Sequence, residues 1–77
     1  MRVKVKLLSV FAKHAREDAD GLTAVPEGAT VRDLAENLGL PLDLIRIITI
    51  NGHQVYLDER LAEGDCVYLF PPALGGG

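Results

Sequence analysis

The chain has 77 residues, 48% of them hydrophobic, and eleven acidic against eight basic side chains give a formal net charge of −3. That length holds one small domain with a thin core, worth roughly 3–5 kcal/mol net, and the acidic balance argues against a nucleic-acid partner, because neutralising phosphates takes a basic surplus. A single cysteine excludes an intrachain disulfide, and no apolar run reaches the roughly 18 residues of a membrane helix.

The N-terminus, MRVKVKLL, is charged and alternating rather than continuously apolar, unlike a secretory signal; a cytoplasmic location is expected. Val3, Val5 and Leu7 alternate with Arg2, Lys4 and Lys6, the period-two pattern of a half-buried strand. Its basic side reads as a solvated sheet face, because no aromatic residues interleave with the charges as a nucleic-acid platform requires. The FAKHARED stretch predicts a short helix or turn with Phe11 pointing inward, and Asp20-Gly21 marks a turn. Leu22 to Val25 predicts a second strand, ended by Pro26-Glu27-Gly28.

Thr30 opens the clearest helix, of roughly nine residues. Its hydroxyl can cap the backbone, with Asp33 as the acid of a capping box. Val31, Leu34, Ala35 and Leu38 form one apolar stripe. Gly39 suits the left-handed position after the helix, and Pro41 prevents continuation. Arg46 to Ile50 is rich in β-branched residues and predicts a strand. Asn51-Gly52 predicts a tight hairpin turn, with His53 to Tyr56 pairing back. Leu57 to Glu63 predicts a loop with Leu61 plugging the core, and Gly64-Asp65 turns the chain again. In the last strand, Cys66 to Phe70, Val67 and Leu69 share one face while Cys66, Tyr68 and Phe70 share the other. About five strands and one main helix imply a two-layer α+β domain with one sheet face open to water.

Catalytic equipment is not evident. His14 and His53 sit at no recognised metal spacing and read as surface histidines; no metal site is expected. Cys66 reads as a small structural hydrophobe rather than a reactive thiolate. No glycine cluster opens a helix, so phosphate-cradling motifs are absent.

The ending, FPPALGGG, is the exception. Pro71 and Pro72 cannot donate to a sheet ladder, so pairing stops at Phe70 and the chain leaves in extended geometry. Gly75, Gly76 and Gly77 lack Cβ atoms and can thread a narrow channel. Pro71 to Gly77 reaches about 23–25 Å at roughly 3.3–3.6 Å per residue, enough to enter a deep pocket while the folded body docks outside. The α-carboxylate of Gly77 is a poor electrophile until an ATP-dependent enzyme converts it to an acyl adenylate.

The segments VPEGATVRDLAENLG, INGHQV and LAEGDCVYLFPP, followed by terminal glycines, together resemble the family of small sulfur-carrier proteins, which includes the small subunit of molybdopterin synthase and the thiamin sulfur carrier. The resemblance covers nearly the whole chain, residues 1–77, with 71–77 as a flexible tail. It implies a ubiquitin-like β-grasp fold: a five-stranded mixed sheet on one main helix, first and last strands adjacent and parallel at the sheet centre. It implies that an E1-like adenylyltransferase, using its own ATP and magnesium, adenylates Gly77, and that a persulfide sulfur displaces AMP to leave a thiocarboxylate. The carrier itself binds no cofactor and is not an enzyme. The sulfur passes to a synthase, the large subunit of molybdopterin synthase or thiazole synthase, with the molybdopterin or tungstopterin branch favoured. Leu74, Gly75 and Gly76, with Pro71 and Pro72, become the segment held by the activating enzyme. Phe70 and Tyr68, with Leu8 beside them, become a docking patch. The third glycine departs from the usual Gly-Gly ending, and Gly77 rather than Gly76 is taken as the reactive residue. Two alternatives use the same sequence differently: a ubiquitin-like modifier joined through Gly77 to lysines, and an interaction module with an inert tail.

Overall fold

The structure, a computed structural model, describes residues 1–72. Strand β1, Arg2–Leu7, carries the alternation as read: Val3, Val5 and Leu7 are buried and Arg2, Lys4 and Lys6 exposed. It ends where Ser9 takes a positive φ of 55°. A 3-10 helix, Ser9–His14, follows and buries Phe11, which is 1% exposed. The short element expected here thus begins earlier than FAKHARED and is wound more tightly than an α-helix. Strand β2 shrinks to Thr23–Ala24 and runs antiparallel to β1.

Helix α1, Val31–Asn37, is two residues shorter than expected but has both ends built as its sequence predicts. The Asp33 N–H donates to Thr30 Oγ1 (3.2 Å) and the Thr30 N–H to Asp33 Oδ2 (2.9 Å), a reciprocal capping box. At the other end Gly39 has φ 76°, its N–H donates to the Glu36 carbonyl, and the Leu40 N–H donates to the Ala35 carbonyl. This is the Schellman arrangement, which a left-handed glycine permits. A second 3-10 helix, Leu42–Leu44, has no counterpart among the sequence expectations.

Strand β3, Ile47–Ile50, turns through Asn51 and Gly52, both at positive φ, into β4, His53–Val55. The last strand, β5, is Cys66–Phe70. The sheet order is β2-β1-β5-β3-β4. β5 lies parallel to β1, with Val5 opposite Val67, and antiparallel to β3, with Ile48 opposite Leu69. First and last strands are therefore central neighbours, and α1 lies in the crossover between them, as a parallel pair requires. Val31, Leu34, Ala35 and Leu38 join Val3, Val67 and Leu69 in one core, to which Phe11 and Leu61 also belong. Each valine, leucine or phenylalanine among them contributes on the order of 1.5–3 kcal/mol by leaving water.

Residues 57–61 do more than loop. The N–H groups of Val31 and Arg32, orphaned at the helix start, donate to the Glu59 and Leu57 carbonyls at 2.9 Å each. Thr30 and Arg60 form an isolated bridge. The loop that seats Leu61 thus also satisfies the helix N-terminus.

Candidate functional site

The helix covers the face of β5 that holds Val67 and Leu69, leaving Cys66, Tyr68 and Phe70 on the other side. Tyr68 is 37% exposed and Phe70 half-buried, and their rings stack with centroids 6.1 Å apart and planes 26° apart. The register builds the surroundings. Tyr68 lies between Lys6 on β1 and Thr49 on β3, Cys66 faces Lys4, and Phe70 faces Ile47. Ile47 is 46% exposed. Leu8 is half-buried with extended backbone, and the alternation of β1 puts it on the same face as Lys6, one register step on, beside Phe70. Leu8, Phe70, Tyr68 and Ile47 thus make an apolar patch, flanked by Lys4 and Lys6, on the uncovered sheet face.

Ile47 was not singled out by the sequence. The run Arg46-Ile47-Ile48-Thr49-Ile50 has apolar residues at consecutive positions, so periodicity leaves its two faces undecided. The register with Phe70 decides them.

The patch lies against the chain exit. The Arg46 N–H donates to the Phe70 carbonyl at 2.9 Å, the last ladder bond of β5. Pro71 follows, half-buried like Pro72 and without an N–H to continue the ladder. Pairing therefore ends where the prolines begin, as expected. Leu74, Gly75, Gly76 and Gly77 lie outside the described residues.

Several of the remaining polar residues have structural partners. His14 Nδ1 is 3.2 Å from the Leu38 carbonyl at the end of α1, which accounts for its position. His53 is exposed at the hairpin turn, and Cys66 is half-buried. Asn51 and Asp65 lock two turns together: Asn51 Nδ2 donates to Asp65 Oδ1 (2.9 Å), the Cys66 N–H to Asn51 Oδ1 (2.9 Å) and the Ala62 N–H to Asp65 Oδ2 (2.8 Å). Arg2 Nη1 bridges Asp18 (3.0 Å) and Asp20 (3.2 Å). Asp18 also accepts from the Leu22 and Asp20 N–H groups, and these bonds, the Leu22 one foremost, hold its carboxyl below the usual carboxylate range. Among the described residues there is no group of three or more His, Cys, Asp or Glu placed to hold a metal ion. Nor is any helix among them long and apolar enough to cross a membrane.

A mixed sheet with its first and last strands paired in parallel, one covering helix, and an apolar open face leading to the final strand's exit defines a ubiquitin-like β-grasp protein. The model of the Mut7-C ubiquitin family matches residues 2–74, and the chain belongs to that family. The match stops short of Gly75, Gly76 and Gly77. Among solved structures, a protein described as molybdopterin converting factor, subunit 1, from Pyrococcus furiosus is 32% identical, with 94% of this chain and 98% of that one covered at a TM-score of 0.67. The small archaeal modifier protein SAMP1 from Haloferax volcanii is 26% identical, with 99% of this chain and 100% of that one covered and a TM-score of 0.70. A second structure of small archaeal modifier protein 1 from H. volcanii is 27% identical at a TM-score of 0.68, over 94% of this chain and 98% of that one. A comparison with curated proteins finds no match.

Proposed function

We propose that the protein is a sulfur carrier that works through the carboxylate of Gly77, with the folded body as the handle by which other proteins hold it. The observation that carries this reading is the junction at Phe70. An aromatic patch on the open sheet face runs into the last residue of the central strand, and two prolines there stop the ladder. The sequence continues from that junction into ALGGG. The likeness to molybdopterin converting factor subunit 1 supports the carrier chemistry.

In this cycle an E1-like partner docks on Tyr68, Phe70, Leu8 and Ile47 and admits the glycines to its own active site. The Gly77 carboxylate attacks the α-phosphate of ATP, pyrophosphate leaves, and an acyl adenylate forms. A persulfide sulfur displaces AMP. A thiol then cleaves the resulting S–S bond, is itself oxidised, and leaves the thiocarboxylate. This chain supplies the acyl group and the docking face; ATP and magnesium are the partner's. The recipient is a synthase that inserts sulfur during cofactor assembly, with molybdopterin or tungstopterin favoured and thiazole next.

The likeness to the small archaeal modifier protein favours a second use of the same terminus, an amide bond between Gly77 and lysines of target proteins. Intact-mass measurement of the protein recovered from its own cells separates the two. Replacement of one terminal oxygen by sulfur marks the carrier, and a ladder of covalent adducts marks the modifier. A terminus that is neither thiolated nor conjugated, with function intact after loss of Gly76 and Gly77, sinks both.

A further inference from the structure

A groove of about 350 Å³ opens on the helix side of the sheet, between the first turn of α1 and the outer β3–β4 hairpin. Ile48, Val55 and Leu57 form its floor and pack against the core. Arg32, Arg46 and Tyr56 form its rim, and Tyr56 is 71% exposed. We infer that this groove is a second docking site, and that its occupant is an extended segment of a partner protein with an apolar side chain next to a carboxylate.

Charge complementarity selects that occupant. Neither Arg32 nor Arg46 pairs with a carboxylate among the described residues; the ion pairs there are made by Met1 and Arg2. Arg46 Nη1 donates to the Asp43 carbonyl at 2.7 Å, which steadies the guanidinium and leaves donors free for a carboxylate fork. Asp58 is the one acid at the rim, so two guanidiniums outweigh it. On a chain of net charge −3, this is a local site for an anion beside an apolar floor. The volume sits at the low end of the roughly 300–1,000 Å³ typical of ligand pockets and fits one or two side chains. Exposed tyrosine and arginine at the rim are the residue types that dominate protein–protein hot spots.

The groove is separate from the aromatic patch. Ile48 points to the helix side, whereas Thr49 and Ile47 lie with Tyr68 and Phe70 on the other. Yet Arg46 is bonded through its backbone to Phe70, so the groove adjoins the chain exit. A protein holding the open face and the terminus leaves the groove accessible to a second segment, from the same partner or another. The inference goes beyond the carrier reading and does not depend on the chemistry of Gly77.

The test is titration of the isotope-labelled full chain with acetyl-Glu-Leu-Glu-amide, followed by amide NMR. Saturable shifts centred on Arg32, Ile48 and Val55 to Asp58 are expected. The Gln-Leu-Gln analogue and the R32Q/R46Q variant should each weaken binding about tenfold or more, and added salt should weaken it too. Tyr56→Ala, an exposed truncation, gives a second variant and should also weaken it. Three results would overturn the proposal. One is equal binding of the neutral analogue, which makes the contact merely apolar. Another is equal shifts from inorganic phosphate, which makes it a free-anion site. The third is no shift at the groove with roughly 10 mM peptide, a site weaker than millimolar.

Discussion

At the scale of single residues, Phe70 has two roles that can be separated. It lies outside the buried core, stacked on Tyr68 and opposite Ile47, so truncating it leaves the core intact. Phe70→Ala is expected to keep the fold and weaken binding of the activating partner by about 2 kcal/mol, roughly thirtyfold, as for a hot-spot aromatic. Calorimetric titration against that partner checks this; unchanged affinity would remove the patch from the interface. Asp18 is a residue of a different kind. Bonds from the Leu22 N–H and from Arg2 favour its ionised form, so its folded pKa lies below its unfolded one. The stability it contributes is complete above pH ~4, the ordinary carboxylate range, and is lost as pH falls through the lowered value. Asp18→Asn keeps an oxygen for the Leu22 N–H but cannot ionise. Its unfolding free energy should therefore fall less steeply with acidification, as read by urea titrations across that window.

At the scale of elements, α1 shows how a helix too short to persist alone is held at both ends. Thr30 and Asp33 satisfy one another, the Glu59 and Leu57 carbonyls take the next two N–H groups, and Gly39 closes the far end. Thr30→Ala removes the hydroxyl acceptor and should cost about 1 kcal/mol. In a domain of this size that lowers the melting temperature by roughly 4–8 °C, measurable by circular dichroism. Leu34→Asp is far more severe. Leu34 is fully buried, and an unpaired carboxylate there has neither water nor a partner. Loss of the cooperative melting transition is expected, and a native-like curve would show that the helix does not face the sheet in this way.

At the scale of the whole molecule, the parallel β1–β5 pair puts the last strand, which ends at Phe70, at the centre of the sheet rather than at a loose edge. Docking at the exit thus bears on a strand paired on both sides, with β1 and with β3. Under the proposed function, deleting Gly77 or appending residues beyond it should abolish ATP–pyrophosphate exchange with the activating enzyme while the thermal transition stays unchanged. Full exchange by an extended, untrimmed chain would exclude the terminal carboxylate as the reactive group.

Much of this was written into local sequence. The alternation of β1 and β5, the capping box, Gly39 and the Asn51-Gly52 turn depend on backbone chemistry within a few residues, and each is found where its residues stand. Tyr68 and Phe70 were placed on the open face by the same period-two rule, and the docking role assigned to them came from resemblance. The 3-10 helix Leu42–Leu44, the exposed Ile47, the loop carbonyls that seat α1 and the Arg32–Arg46 groove were not legible. The 3-10 turn is local, closed by the Leu44 and Ile45 N–H groups on the Pro41 and Leu42 carbonyls, but the other three join residues far apart in the chain, and no local preference encodes which distant backbone will arrive. The sequence by itself determined which segments form the main strands and α1 and, wherever apolar residues alternate or recur at helical spacing, which side is apolar, because those follow from side-chain periodicity and backbone propensity; β3, with apolar residues in succession, is the exception. Only the tertiary structure decided that β5 lies between β1 and β3, and hence which side chains meet at the chain exit, because strand order is settled by burying the shared apolar faces together.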